Sequence, residues 1–147
     1  MSTLFDQLLG SWDLVSYQLD LDGGRTVHPL GEHAIGLIVY TPQRRVSVNI
    51  MRPGRAPWAS PNPAAGTPPE VAEAGAGYLA YAGSFIVDES ASLVEHHVDV
   101  SLFPNWIGGV QRRFVDLTGD ELVLESPVIT DAAGTSVTPR LRWRRIA

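Results

Sequence analysis

The sequence predicts an all-β protein: an eight-stranded antiparallel up-and-down barrel, with a short N-terminal helix and a second short helix after a proline-rich loop. Three observations carry that expectation. Apolar and polar residues alternate in strand-length runs, the period expected of half-buried strands. Compact turn signals such as Asp22-Gly23-Gly24, Thr41-Pro42-Gln43, Asp88-Glu89-Ser90 and Thr118-Gly119-Asp120 separate these runs. The first strand opens on Gly10-Ser11-Trp12 and the last is the arginine-rich Leu141-Arg142-Trp143-Arg144-Arg145, so a closed sheet brings its two ends together beside a tryptophan. Closure removes exposed edges, and about eight strands leave an interior wide enough for one small ligand.

Taken in order, Ser2 or Thr3 caps a helix through Leu9, with Leu4, Phe5, Leu8 and Leu9 on one face. From Gly10 the pattern becomes strand-like. Strict alternation puts Trp12, Leu14, Ser16 and Gln18 on one face and Asp13, Val15, Tyr17 and Leu19 on the other. Further strands are expected over residues 35–41, 45–51, 81–87, 93–103, 110–117, 121–125 and 137–145. The connection over residues 52–67 breaks the pattern, because Pro53, Pro57, Pro61 and Pro63 exclude a regular ladder. Connections of this length in a compact domain serve as lids or binding loops, and Trp58 marks this one. It leads into Thr67-Pro68-Pro69-Glu70, a capping box that starts a helix from Pro68 to about Gly75.

Composition narrows the function classes. At 147 residues, 44% hydrophobic and 18% charged, the chain is one globular domain. No apolar run approaches the roughly 20 residues of a membrane span, and the first residues lack the basic and apolar regions of a secretory signal; a cytoplasmic protein is expected. With no cysteine there is neither disulfide nor thiolate chemistry. A net charge of -5 argues against a nucleic-acid partner. Every cation is arginine and none is lysine.

Strand parity picks out polar residues on apolar faces. His96 shares a face with Val94, Val98, Val100 and Leu102, whereas His97 points outward with Glu95, Asp99 and Ser101 unless a bulge shifts the register. Neighbouring histidines on one strand cannot chelate one metal, so no metal site is read here. Arg113 falls inward with Val115 and Leu117, and a buried arginine needs a carboxylate, carbonyls or an anionic ligand. Tyr81 is inward with Gly83, Phe85 and Val87. His96, Arg113 and Tyr81 are the candidate catalytic residues, with Tyr40, Asn49, Trp58, Phe85 and Trp106 as candidate ligand contacts. Each also has a purely structural reading: a satisfied core histidine, an arginine paired to an internal acid, amphipathic core tyrosines, and Trp106 as a turn anchor.

The segments Gly10-Ser11-Trp12-Asp13-Leu14-Val15-Ser16-Tyr17, Pro29-Leu30-Gly31 and Gly36-Leu37-Ile38-Val39-Tyr40-Thr41-Pro42 resemble the bacterial and fungal lipocalin-like domain family. So do Tyr81-Ala82-Gly83, His96-His97-Val98, Ser101-Leu102-Phe103-Pro104-Asn105-Trp106 and Gly119-Asp120-Glu121-Leu122. The resemblance runs through nearly the whole chain and implies a lipocalin-like barrel. It also implies that Trp12 plugs the closed end under an arginine of the last strand, Arg142 or Arg144. Lipocalin-like barrels of this kind include cyclases and isomerases of natural-product pathways as well as simple carriers.

Nucleotide-binding, hydrolase-elbow, zinc and calcium motifs are not found in the sequence, and no cofactor is expected. The functional expectation is a cavity for a small hydrophobic or amphipathic molecule. The chemistry that suits it is cofactor-independent cyclisation or isomerisation of a polyketide-like substrate, using Tyr81 or Arg113 to polarise a carbonyl and His96 to move a proton. The alternative is a carrier or sensor without chemistry. The chain is expected to be a monomer or a homodimer.

Overall fold

The computed structural model describes residues 2–146 and shows a closed, antiparallel eight-stranded barrel with two short helices. The wall is built from β1 (Gly10–Leu21), β3 (Ile35–Tyr40), β4 (Arg45–Met51), β5 (Tyr78–Asp88), β6 (Leu93–Ser101), β7 (Val110–Thr118), β8 (Glu121–Glu125) and β10 (Ser136–Arg145). Two-residue strands, β2 (Thr26–Val27) and β9 (Ile129–Thr130), extend β1 and β10 at one end and had no sequence signal long enough to read. Each strand pairs with its neighbour, and β1 pairs with β10 from Trp12↔Arg145 to Leu21↔Val137, which closes the ring. No helix among the described residues is long and apolar enough to cross a membrane.

Helix α1 (Leu4–Leu8) is capped by Thr3, whose hydroxyl accepts the Asp6 N–H, and the Glu89 carboxylate accepts the Leu4 and Phe5 N–H groups. These are the unsatisfied donors of any helix start. Gly10, at φ 116°, lets the chain turn from that helix directly into β1, in a backbone region that side chains with a Cβ rarely adopt. Helix α2 (Pro68–Ala76) has the expected Thr67/Glu70 capping box and runs one residue beyond Gly75.

Two bulges change the faces that simple alternation predicts. In β1 the register shifts between Leu14 and Ser16, leaving Val15 unpaired and 47% exposed. Beyond it the parity reverses: Tyr17 pairs with inward Leu141, so Tyr17 and Leu19 face the interior and Ser16 and Gln18 do not. In β6 the extra residue is Asp99, between the pairs Gly83↔Val98 and Ala82↔Val100. Val100 and Leu102 therefore turn outward, at 62% and 48% exposure, contrary to their expected place beside His96. Gly83 permits this close crossing, because a Cβ there would lie 1.8 Å from the His97 carbonyl oxygen.

The core divides along the barrel axis. At the closed end Trp12, Leu8 and Phe85 are fully buried, and Phe5 stacks on Phe85 with ring centroids 5.6 Å apart. The indole of Trp12 donates to the Leu8 carbonyl at 2.9 Å. The arginine over it is Arg145, 4.2 Å from the ring centroid, and not Arg142 or Arg144. Parity decides this: Leu141, Trp143 and Arg145 share the inner face, whereas Arg142 and Arg144 are exposed. Arg145 also donates to the carbonyls of Leu9, at 3.0 Å, and of Gln7.

Candidate functional site

Toward the other end the same inner faces enclose a chamber of about 210 Å³. Ile38, Val48, Leu79, Leu124 and Leu141 supply its apolar wall, and Tyr17, Trp106 and Trp143 its aromatic one. Tyr81, His96, Gln111, Arg113 and Ser126 supply polar groups. The register explains the convergence. His96 pairs with Gln111 across β6 and β7, Val94 pairs with Arg113, and Tyr81 pairs with Val48 across β4 and β5, so all project to one side.

His96 is 1% exposed and is held between two tyrosines. The Tyr40 hydroxyl lies 2.7 Å from its Nε2 and the Tyr81 hydroxyl 2.7 Å from its Nδ1. Burial, together with the nearby positive charge of Arg113, lowers the His96 pKa to about 3, so the ring is neutral at ordinary pH. A neutral imidazole has one donor and one acceptor nitrogen. Tyr40 is buried and, among the described residues, His96 is its hydroxyl's one partner, so Tyr40 donates to Nε2 for its proton to be satisfied. Nδ1 then carries the ring proton and donates to Tyr81. This assignment, made from the hydrogen-bond network, frees the Tyr81 hydroxyl proton for the chamber. Burial raises the Tyr81 pKa above its usual value while the adjacent Arg113 opposes the rise, so Tyr81 is a protonated donor at neutral pH.

Arg113 donates from Nη1 to the Arg112 carbonyl at 2.7 Å and from Nη2 to Gln111 Oε1 at 3.0 Å. Among the described residues no carboxylate lies within ion-pairing distance of it, whereas Arg45, Arg112, Arg144 and Arg145 each have one and Arg140 has two; the other arginines without an acid, Arg25, Arg44, Arg52, Arg55 and Arg142, are exposed. The internal acid that could have paired it is therefore absent from its surroundings. Trp143 adds a second unanswered group: its side chain is 1% exposed and Nε1 has no hydrogen-bond partner.

The other expected contacts separate. Trp106 lies on the chamber wall, edge-on to Tyr81 with centroids 5.6 Å apart. Tyr40 stands behind His96 and reaches the chamber only through it. Phe85 is inward but belongs to the closed-end core, against Phe5 and Tyr40. Asn49 is on the outer face of β4, opposite in parity to buried Val48 and Ile50, and accepts from the Tyr78 hydroxyl at 3.0 Å. Trp58 lies over Gly66 in a separate surface pocket between the proline-rich loop and α2. No residue of 52–67 lines the chamber, because that loop is tied to α2 by the Ala59 N–H to Glu70 bond and to residue 29 by Arg52.

Sequence reasoning missed Tyr17, Gln111 and Trp143 as chamber residues. Gln111 stands two residues before Arg113, and Trp143 two after inward Leu141, so alternation held the signal for both. Tyr17 had no such signal, since the bulge at Val15 inverts it.

A closed antiparallel barrel with an internal chamber at one end and an Arg-covered tryptophan at the other is the architecture of the lipocalin-like proteins. The family model for the lipocalin-like domain matches residues 9–146, and the chain belongs to that family. One relative is the 4'-hydroxy-3'-methoxypropiophenone carrier protein ppsC of Aspergillus oryzae, 36% identical over 107 residues that take in 69% of this chain and 96% of that one. No solved structure gives a significant match.

Proposed function

We propose that the protein binds and carries a small aromatic molecule with a carbonyl or hydroxyl oxygen, inserted into the chamber with that oxygen toward Tyr81 and Arg113. The observation that carries this reading is an arginine left without an acid at the wall of a mostly apolar chamber. Its guanidinium is half-buried and hydrogen-bonded to two acceptors, but no acid neutralises it, so its charge can still answer a polar ligand oxygen. Size agrees: a cavity of roughly 150 Å³ holds benzene, and this one, at about 210 Å³, has room for a substituted ring. The name of the Aspergillus relative, a carrier of an aryl ketone, supports the same ligand class.

Native mass spectrometry of the purified protein, followed by calorimetric titration with a panel of aryl ketones, phenols and benzoates, tests the proposal. Retention of a small molecule or saturable binding that Arg113→Met weakens is expected. No saturable binding by any panel member, with no retained mass, would sink the reading.

A second reading, turnover by isomerisation or cyclisation, is favoured by the Tyr40–His96–Tyr81 chain, which can deliver a proton from Tyr81 to a ligand oxygen. It is the weaker reading on the geometry. Among the described residues no carboxylate side chain lines the chamber to remove a carbon-bound proton, and a histidine with a pKa of about 3 is a poor base. Incubation of a bound aryl ketone in deuterium oxide distinguishes the two: carriage leaves its α-hydrogens exchanging at the solution rate, and turnover accelerates the exchange.

A further inference from the structure

Resting on that binding role, we infer that the chamber takes its ligand ionised, as an aryl oxyanion whose negative oxygen is held by Arg113 and Tyr81. The reason lies in which hydrogen-bonding capacity the fold has already used. The Gln111 carbonyl oxygen is occupied by Arg113, leaving the amide hydrogens of Gln111 to give. Both nitrogens of His96 are engaged by tyrosines, and the Ser126 hydroxyl donates to the Pro127 carbonyl. What remains open is the Tyr81 hydroxyl proton and the positive charge of Arg113, while the unpartnered Trp143 indole N–H is buried away from the chamber space.

The wall is thus rich in donors, and it carries a cation with no anion beside it. The charged side chains on the neighbouring strands, Glu95, Arg112, Glu125 and Arg140, belong to the outer face and pair there with one another. The titratable groups that face Arg113 from β1, β3, β5 and β6 are Tyr17, Tyr40, Tyr81 and His96, all neutral. A neutral ketone would answer the donors and leave the charge uncompensated. A phenolate or carboxylate answers both, and charge-assisted hydrogen bonds to guanidinium are about twice as strong as neutral ones. The aromatic wall of Tyr17, Trp106 and Trp143, together with the chamber's size, limits the anion to one bearing a single ring.

The probes are 4-nitrophenol, its methyl ether 4-nitroanisole, and 4-nitrobenzoate, titrated into the intact protein by calorimetry, with the visible phenolate band followed against pH. The apparent pKa of bound 4-nitrophenol is expected to fall by about one unit, with 4-nitroanisole binding about tenfold more weakly where the phenol is ionised. Arg113→Met removes the pKa fall and Arg113→Lys, which keeps the charge, restores part of it. The ratio of 4-nitrophenolate to 4-nitrobenzoate affinity tells which oxyanion the chamber prefers. Equal affinity for the phenol and its ether with an unshifted pKa overturns the inference, as does binding of neutral aryl ketones with exclusion of both anions; in either case carriage stands. If neither neutral nor anionic probes bind, both readings fall. The wild-type comparison decides by itself should Arg113→Met not fold.

Discussion

The two ends of this barrel are each organised around an arginine and a tryptophan, and they use the pair in opposite ways. At the closed end Arg145 lies over Trp12, the indole N–H is taken by Leu8, and the guanidinium is taken by the carbonyls that end α1. At the chamber, among the described residues, Arg113 has no acid and the buried Trp143 N–H has no acceptor. A satisfied pair makes a plug, and an unsatisfied one makes a binding surface. The difference arises because α1 crosses one end and supplies acceptors alongside the Asp120 carboxylate, whereas at the other end Arg113 finds only the Arg112 carbonyl and Gln111 Oε1, with no acid among the described residues.

The sharpest way to break this contrast is at the plug. Trp12→Ala should cost about 3–5 kcal/mol, the range for truncating a buried aromatic, measured by urea unfolding. A loss under about 1 kcal/mol would mean the closed end is not a core element. A titration of stability comes next. The His96 pKa is lowered on folding from 6.5 to about 3, so the unfolded chain binds the extra proton between those values. Its contribution is therefore complete above pH 6.5 and is lost as pH falls toward 3, with a slope of up to about 1.4 kcal/mol per pH unit. His96→Gln should remove that part of the slope, and an unchanged acid profile would refute the tyrosine-held neutral ring.

The direct comparison is between the two arginines. Arg145→Met should destabilise by roughly 1–3 kcal/mol through the lost stacking and carbonyl bonds. Arg113→Met should leave thermal stability equal or higher, because it removes an unpaired, partly buried charge, while weakening ligand binding about tenfold. If Arg113→Met proved the more destabilising of the two, the division into plug and binding surface would be wrong. Smallest of all, Asn49→Ala and Trp58→Phe should leave ligand affinity unchanged, since both residues lie outside the chamber. A marked loss with Trp58→Phe would show the proline-rich loop closing over the opening.

Much of this architecture was legible residue by residue. The capping boxes at Thr3 and Thr67, the turns, and the inward parity of Tyr81, His96 and Arg113 rest on local periodicity and local hydrogen bonding, which the sequence displays directly. Asn49 was misplaced although β4 alternates cleanly, Val46, Val48 and Ile50 against Arg45, Ser47 and Asn49, a period of two that already turns Asn49 outward. Trp58 was misplaced because a loop residue has no period at all.

By itself, then, the sequence determined the element order, the barrel class and three of the polar residues that meet inside it. Tertiary structure alone decided the rest. The bulges at Val15 and Asp99 reverse facing partway along a strand, because an unpaired residue shifts a period of two by one. They turn Tyr17 into the chamber and Val100 out of it. Strand parity turns Arg145 inward, and closure of β1 onto β10 sets it opposite Trp12. And that Arg113 goes unpaired is a property of everything around it, which no local pattern in the chain encodes.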